Sequence, residues 1–116
     1  MTAPDDAAGP VDLASLATEL LEKAATAAAR RASRTLAHPV DGLRQTVIAL
    51  MAGADLAEHE SPGPASLQML QGRVRVIAGN GATVLRTGEI ALVPMQRHSL
   101  HADEDSVVLL SVAIEV

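Results

Sequence analysis

The sequence contains no cysteine and no phenylalanine, tyrosine or tryptophan among its 116 residues. The lack of cysteine excludes disulfides, thiolate metal sites and cysteine nucleophiles. The lack of aromatic rings excludes base stacking and aromatic cages around cationic ligands. Any ligand pocket must therefore have aliphatic walls, and the hydrophobic core must be aliphatic for the same reason.

Positively charged residues are fewer than negatively charged ones, and the net charge is −5. Nucleic-acid backbones select a basic face, so nucleic acid is not an expected partner. The basic cluster Lys23, Arg30, Arg31 and Arg34 suits the C-terminal end of a helix. There is no apolar run of about 18 residues, so we expect no transmembrane helix. The acidic start MTAPDDAAGP lacks the apolar centre of a secretory signal, which predicts a cytoplasmic protein with no membrane partner.

The first third of the chain predicts a tail and a helix. We assign residues 1–10 to a flexible tail, 11–34 to an N-terminal helical segment and 35–116 to a β-barrel domain. Asp12 is a suitable N-cap, and the following run is rich in helix-forming residues, which predicts a helix over residues 13–32. The apolar side chains at helical spacing include Leu13, Leu16, Leu20 and Leu21.

The remaining two thirds predict short strands. Residues 43–53 alternate between two partly apolar sets, which suits a strand buried on both faces. The run SLQMLQGRVRVIAG predicts either a strand pair or one long strand with a bend at Gly72. Gly-Asn-Gly at residues 79–81 indicates a tight hairpin, because its central residues tolerate a positive φ. About eight short strands at this spacing predict an all-β sandwich or barrel behind one helix.

Two segments carry a regular frame of glycine, proline and histidine. In the first, His59, Ser61 and Ala65 lie between Gly53 and Gly72 in the spacing G-x5-H-x-S-x3-A-x6-G. The second begins at Gly88 and reaches Pro94 after five residues, followed by Gln96, His98 and His101. These frames resemble the two motifs of the cupin superfamily, G-x5-H-x-H-x3-E-x6-G and G-x5-P-x-G-x2-H-x3-N.

The cupin resemblance covers residues 43–116 and is closest to small single-domain bacterial cupins with an N-terminal helix. It implies a mainly β chain: a cupin-type jelly-roll β-barrel preceded by one N-terminal α-helix. Cupin metal sites hold Fe, Mn, Ni or Zn on imidazoles and a carboxylate. Ser61 and Ala65 replace two of those ligands, which leaves His59 and His98, with His101 or Glu60 as additions if the strand has a bulge. Two imidazoles alone rarely satisfy a first-row metal, so a divalent transition-metal cofactor is disfavoured.

The pattern leaves three kinds of function open. The first is a module that binds a small molecule in the barrel without catalysis. The second is a metal-dependent cupin enzyme of the oxygenase, isomerase or lyase type that uses His59 and His98. The third is a structural or regulatory homodimer. The fold cannot choose among them, but the lost ligands favour the first and third. The alternation of side chains along the strands predicts these ligand-binding residues: His59, Ser61, Leu67, Met69, His98 and Leu100.

We expect a homodimer on the grounds of surface composition. The predicted outward set includes Ile48, Leu50 and Leu70, which is more apolar than a solvated sheet face. The N-terminal helix is expected to cover only part of that surface, and barrels of this size have exposed edge strands. A two-fold interface would bury the remainder through a self-complementary patch.

Overall fold

The computed structural model describes residues 9–37, 41–59 and 63–114, and for Glu58 and His59 it describes the backbone only. Residues 1–8 of the predicted tail, together with His38, Glu60 and Ser61, lie outside this part of the chain. Among the described residues no helix is long and apolar enough to cross a membrane. The elements are α1 (Leu13–Thr26), β1 (Arg31–Thr35), β2 (Leu43–Leu50), β3 (Asp55–His59), β4 (Ala65–Gln71), β5 (Arg73–Ala78), β6 (Gly81–Arg86), β7 (Ile90–Leu92), β8 (His98–Ala102) and β9 (Ser106–Ala113).

The strands form two sheets. One has five strands in the order β1-β2-β9-β4-β7, and the other has four in the order β3-β8-β5-β6. Every pairing is antiparallel. Their inner faces enclose an aliphatic core, as the side-chain alternation along the strands predicts. The prediction of a mainly β jelly roll with one N-terminal helix is confirmed.

Helix α1 begins where the sequence predicts it to begin. The Asp12 carboxylate accepts hydrogen bonds from the Ser15 backbone N–H at 3.1 Å and from the Ser15 hydroxyl at 2.9 Å. These two bonds, the backbone one first, hold the pKa of Asp12 below its usual value. The cap satisfies a backbone donor that has no partner within the helix.

The predicted end of the helix was wrong. The helix stops at Thr26, and Ala27 already has an extended backbone. Arg30 follows with a φ of 57°, in the left-handed region, and turns the chain into β1. Strand β1 pairs along its length with β2 from Arg31 opposite Leu50 to Thr35 opposite Thr46. The hydrogen bonds of this ladder override the helix propensity of an Ala- and Arg-rich segment.

The two faces of β2 pack into two different cores. Ile48 and Leu50 lie in the barrel core between the sheets. Val47 and Ala49 lie in a second core, under the apolar face of α1. The outward set predicted from the sequence was therefore wrong for Ile48 and Leu50, because the two faces of β2 were exchanged. Leu70 does face outward, but it packs with the second core beneath α1. The surface on which the homodimer was predicted is thus largely covered within one chain.

Two glycine turns set the path of the barrel strands. Gly72 separates β4 from β5, which belong to different sheets, so the run from residue 66 to 79 is a strand pair and not one bent strand. Residues 79 and 80 join β5 to β6 with Ala78 opposite Gly81, which confirms the predicted hairpin. Gly79 has a φ of 57°, and Asn80 is not among the described residues with positive φ. A positive φ at only the first central residue is the pattern of a type II′ turn.

Candidate functional site

A small cavity lies inside the barrel, between the two sheets. Its volume is about 30 Å³, and its walls come from β2, β3, β4, β5, β8 and β9 and from the residue that follows β7. Of the eight lining residues that the structure describes, seven are aliphatic and the eighth is a histidine. The lining residues are Ile48, Leu56, Leu67, Val76, Val93, His98, Leu100 and Leu110.

His98 is the polar residue of this cavity. Strand β8 buries every second residue, so His98, Leu100 and Ala102 face the barrel interior. The His98 side chain is only 6% exposed, and its Nδ1 lies 3.0 Å from the backbone oxygen of Gln96. A carbonyl oxygen only accepts, so this hydrogen bond assigns the proton to Nδ1.

The structure brings some of the predicted ligand-binding residues together. Leu67, His98 and Leu100 line the cavity. Met69 lies in the same core at 1% exposure, but it is not part of the cavity wall. The His59 backbone pairs with that of His98 across β3 and β8, next to a register irregularity between Leu56 and His59. The His59 side chain and Ser61 lie outside the described part of the chain, so their share in a site stays a prediction.

Five wall residues were not predicted from the sequence. The missing signal was the position of each strand in the barrel, because alternation marks two faces but does not say which one is inside. Val76 and Ile48 each alternate with polar or outward residues, so each was recognisable as a member of one face of its own strand. Val93 follows β7 and has no strand pattern of its own. The five residues are Ile48, Leu56, Val76, Val93 and Leu110.

The described residues do not fit the metal site of the cupin motif. Within the parts of the chain that the structure describes, no three His, Cys, Asp or Glu side chains lie close enough to hold a metal ion. Ala65, at the position of the motif carboxylate, packs in the barrel core as a methyl group. His98 is the one imidazole shown at the cavity. A single imidazole among aliphatic walls is not a first-row metal site.

His101 does not belong to the cavity, so its addition to the predicted metal site was wrong. It alternates with His98 and Leu100 along β8 and therefore points to the other face of the sheet. There its Nδ1 lies 2.7 Å from the Asp55 carboxylate, and its Nε2 lies 3.9 Å from Asp103. Asp103 in turn accepts a hydrogen bond from Arg75 at 3.0 Å. These contacts hold β3, β5 and β8 together on the outer face.

A wider groove lies on the surface between the first turns of α1 and β1, with a volume of about 470 Å³. Its wall includes Glu19, which accepts hydrogen bonds from Lys23 and Arg34. The Lys23 hydrogen bond is the first cause that lowers the pKa of Glu19, and the charge of Arg34 adds to it. Exposed pairs of this kind contribute little to stability. They do neutralise part of the basic cluster that the sequence shows.

Comparison with known proteins supports the fold. No protein-family model and no curated protein matches the chain. Among solved structures, a conserved protein of unknown function from Streptococcus pyogenes is 27% identical, with a TM-score of 0.68 over 78% of this chain and 79% of that one. A cupin superfamily protein from Desulfitobacterium hafniense is 20% identical, with a TM-score of 0.67 over 73% and 78% of the two chains.

One similar structure is an enzyme. A salicylate 1,2-dioxygenase from Pseudaminobacter salicylatoxidans superposes with a TM-score of 0.72 at 18% identity. The match covers 85% of this chain but 33% of the dioxygenase. At such identity the likeness establishes the fold and not the activity, since one fold hosts many functions. The chain therefore has the cupin fold, as the resemblance in its sequence implies.

Proposed function

We propose that this small cupin-fold chain binds a small, mostly apolar molecule inside its barrel, with His98 as the polar contact. The observation that carries the proposal is the internal cavity, in whose described wall one buried imidazole lies among aliphatic side chains. Binding sites of this type combine apolar walls with a few placed polar groups that orient the ligand. Catalysis is not part of the proposal.

The size of the cavity limits the ligand. A volume of about 30 Å³ has room for about one or two water molecules. Pockets for drug-sized ligands measure roughly 300–1,000 Å³. A ligand larger than about one or two water molecules must therefore displace wall side chains to enter. The position of Leu56 is suitable for ligand entry. This residue is only partly buried and lies on the edge strand β3 beside the register irregularity.

The wall chemistry limits the ligand class. Among the described residues no charged side chain lines the cavity, and an ion in such surroundings loses its hydration without gaining a partner of opposite charge. The imidazole favours a molecule that also carries a hydrogen-bonding group. We therefore expect a neutral compound of a few heavy atoms with one hydroxyl or N–H group, such as a short alcohol or a phenol.

The experiment is a binding screen followed by NMR of the histidine rings. The probes are short alcohols, phenol and hydrocarbons of matched size. The expected result is that the hydroxyl compounds shift the ring signals of His98. The His101 ring lies on the other face of the same strand and should not move. His101 is thus an internal control for unspecific effects. If no probe shifts His98 at millimolar concentration, the proposal is wrong.

A variant separates the two parts of the site. His98→Leu keeps a side chain of moderate size but removes the hydrogen-bonding ring, so binding of phenol should weaken by about tenfold, as expected for one lost hydrogen bond. Binding of the matched hydrocarbon should stay within a factor of two or three. Equal loss of both probes would show that His98 acts only through packing.

A metal-dependent enzyme is a second candidate, and one observation favours it. The backbones of His59 and His98 are direct partners across β3 and β8, so the two residues of the predicted metal site are neighbours. The test is metal analysis of protein purified without a histidine tag. Stoichiometric metal that is lost in His98→Leu would favour this candidate. Protein without bound metal that still binds phenol would favour the non-catalytic module.

A further inference from the structure

Strand β7 forms one edge of the five-stranded sheet and exposes apolar side chains. It consists of Ile90, Ala91 and Leu92. Ile90 is 63% exposed and Leu92 is 85% exposed, and Met95 just beyond the strand is 64% exposed. Leu92 is the most exposed large apolar residue in the described part of the chain. These residues lie away from α1, which packs against β1, β2 and β9 of the same sheet.

The outer edge of β7 offers backbone groups that no described strand pairs with. The Val93 N–H donates to the Ala65 oxygen and the Met69 N–H to the Glu89 oxygen. Hydrogen-bonded positions alternate along an antiparallel pair, so the backbone groups of Ala91 point toward β4. Those of Ile90 and Leu92 point away from it. Within the described residues no other strand pairs with this edge.

The composition of β7 differs from that of the other edge strands. Edge strands usually carry charged residues that prevent pairing with another chain. Three of the four edges fit this rule: β1 has two arginines, β3 has Asp55 and Glu58, and β6 has Arg86. Strand β7 has no charged residue. It therefore lacks the charged residues that protect the other three edges.

We infer that two copies of this chain associate through β7, side by side and antiparallel, about a two-fold axis at Ala91. The register places Ile90 opposite Leu92 of the second copy, and Ala91 opposite Ala91 of the second copy. Ile90 and Leu92 have the outward N–H and C=O groups, so each such pair exchanges two hydrogen bonds. Four backbone hydrogen bonds form in total, and the sheet becomes continuous across the two chains.

Self-complementarity identifies a second copy as the occupant. The outward groups of Ile90 and Leu92 are placed symmetrically about Ala91, so the edge matches itself under a two-fold rotation. The same rotation sets the exposed apolar side chain of Ile90 beside that of Leu92. It sets Glu89 opposite Val93 of the second copy, so no two like charges face one another across the strands.

The contact is small, and this determines its strength. A stable interface buries about 800 Å² on each partner. A three-residue edge with three exposed apolar side chains provides a weaker interface. We expect a reversible dimer whose population rises with concentration through the micromolar range. This interface replaces the predicted surface around Leu70, which α1 covers.

The first experiment is sedimentation velocity of the full chain over a range of concentration. Leu92→Lys puts a charge on the edge and should raise the dimer dissociation constant at least tenfold. Val84→Lys is the matched control, because Val84 is a partly exposed valine on β6, an edge strand of the other sheet. It should leave the dissociation constant within a factor of two. Circular dichroism should show that both variants remain folded.

A second experiment tests the register. The chain has no cysteine, so a single introduced thiol reports on one contact only. Facing Cα atoms in a non-hydrogen-bonded pair are about 4.5 Å apart, which is within disulfide range. Ala91→Cys should therefore form a covalent dimer under mild oxidation. Leu92→Cys should not link to itself, because Leu92 faces Ile90 of the second copy.

Three results would overturn the inference. The first is a single mass near 12.0 kDa at every concentration. The second is a dimer that Leu92→Lys leaves intact or that Val84→Lys weakens equally, since either places the contact elsewhere. The third is equal crosslinking of Ala91→Cys and Leu92→Cys, which contradicts the two-fold register. None of these results bears on ligand binding in the barrel.

Discussion

Replacement of Gly72 by alanine tests why this corner of the barrel requires glycine. Gly72 has a φ of 91°, a conformation that residues with a Cβ rarely adopt. An added Cβ would lie 2.4 Å from the Ser106 Oγ, 2.5 Å from the Asp105 backbone oxygen and 2.8 Å from the Ser106 Cα. Two of these three atoms belong to the backbone, so they cannot move away by a change of rotamer.

The neighbours of Gly72 are also held in place. The Ser106 side chain is fully buried. Its hydroxyl accepts a hydrogen bond from the Arg73 N–H at 3.1 Å and donates one to the Glu104 backbone oxygen at 2.8 Å. The Gly72 N–H donates to the Thr87 hydroxyl at 2.9 Å. A shift that relieves the clash would stretch these bonds. The strain therefore cannot be released locally.

The expected loss follows from three contributions. The positive φ costs alanine about 1–2 kcal/mol, and a forced contact in a packed region costs about 1–3 kcal/mol. Alanine recovers about 0.4–1 kcal/mol because it restricts the unfolded chain. We expect Gly72→Ala to lower the free energy of unfolding by about 2–4 kcal/mol.

Gly53→Ala is the matched control. Gly53 has a φ of 86°, close to that of Gly72, but no atom lies within 4 Å of the position of its Cβ. Only the backbone contributions remain, so the loss should be at most about 1.5 kcal/mol. Urea unfolding followed by circular dichroism measures both values, because the chain has no aromatic residue for fluorescence. Equal losses in the two variants would refute the steric argument.

Three further predictions concern the helix cap, the turn before β1 and the motif positions. Because hydrogen bonds lower the pKa of Asp12, its stabilising effect should be complete above about pH 4 and decrease as the pH falls through the lowered pKa. Arg30→Gly should raise the free energy of unfolding by up to about 1 kcal/mol, because it removes a left-handed arginine. The double change Ser61→His with Ala65→Glu should raise the affinity for a divalent metal in a calorimetric titration, because it restores both motif ligands.

Each of these predictions has its own control. Asp12→Asn keeps a capping side chain without a titrating group, so its stability should not show the acid loss. Arg31→Gly lies within β1 and should destabilise by about 0.5–1 kcal/mol, opposite in sign to Arg30→Gly. Ser66→Glu puts the carboxylate on the neighbouring residue of β4, which faces away from the barrel core. If the protein with Ser66→Glu bound the metal as tightly as the protein with Ala65→Glu, the alignment of this strand would be contradicted.

Much of the fold could be predicted because its signals are local. The Asp12 cap, the hairpin at residue 79 and the corner at Gly72 each depend on a few adjacent residues and on allowed backbone angles. The alternation of β8 likewise separates His98 and Leu100 from His101 without reference to any other strand. The cupin resemblance was carried by glycine and proline spacings of the same short range.

The candidate site could be predicted only in part. The alternation of side chains along the strands predicted Leu67, His98 and Leu100 on one face, and the structure puts them around one cavity. It could not give the size of that cavity, because volume depends on how side chains from six strands and the residue after β7 meet. Nor could it find Val93, which lies beyond the end of its strand.

The strand alternation, the turns, the helix start and the glycine and proline frame follow from local sequence, because each is a property of neighbouring residues. The end of α1 depends on the tertiary structure, because pairing of Arg31–Thr35 with β2 competes with helix propensity. The tertiary structure also sets which face of β2 is inside, since both faces are apolar and one meets α1 while the other meets the opposite sheet. Long-range contacts choose between conformations that the local sequence leaves nearly equal in energy.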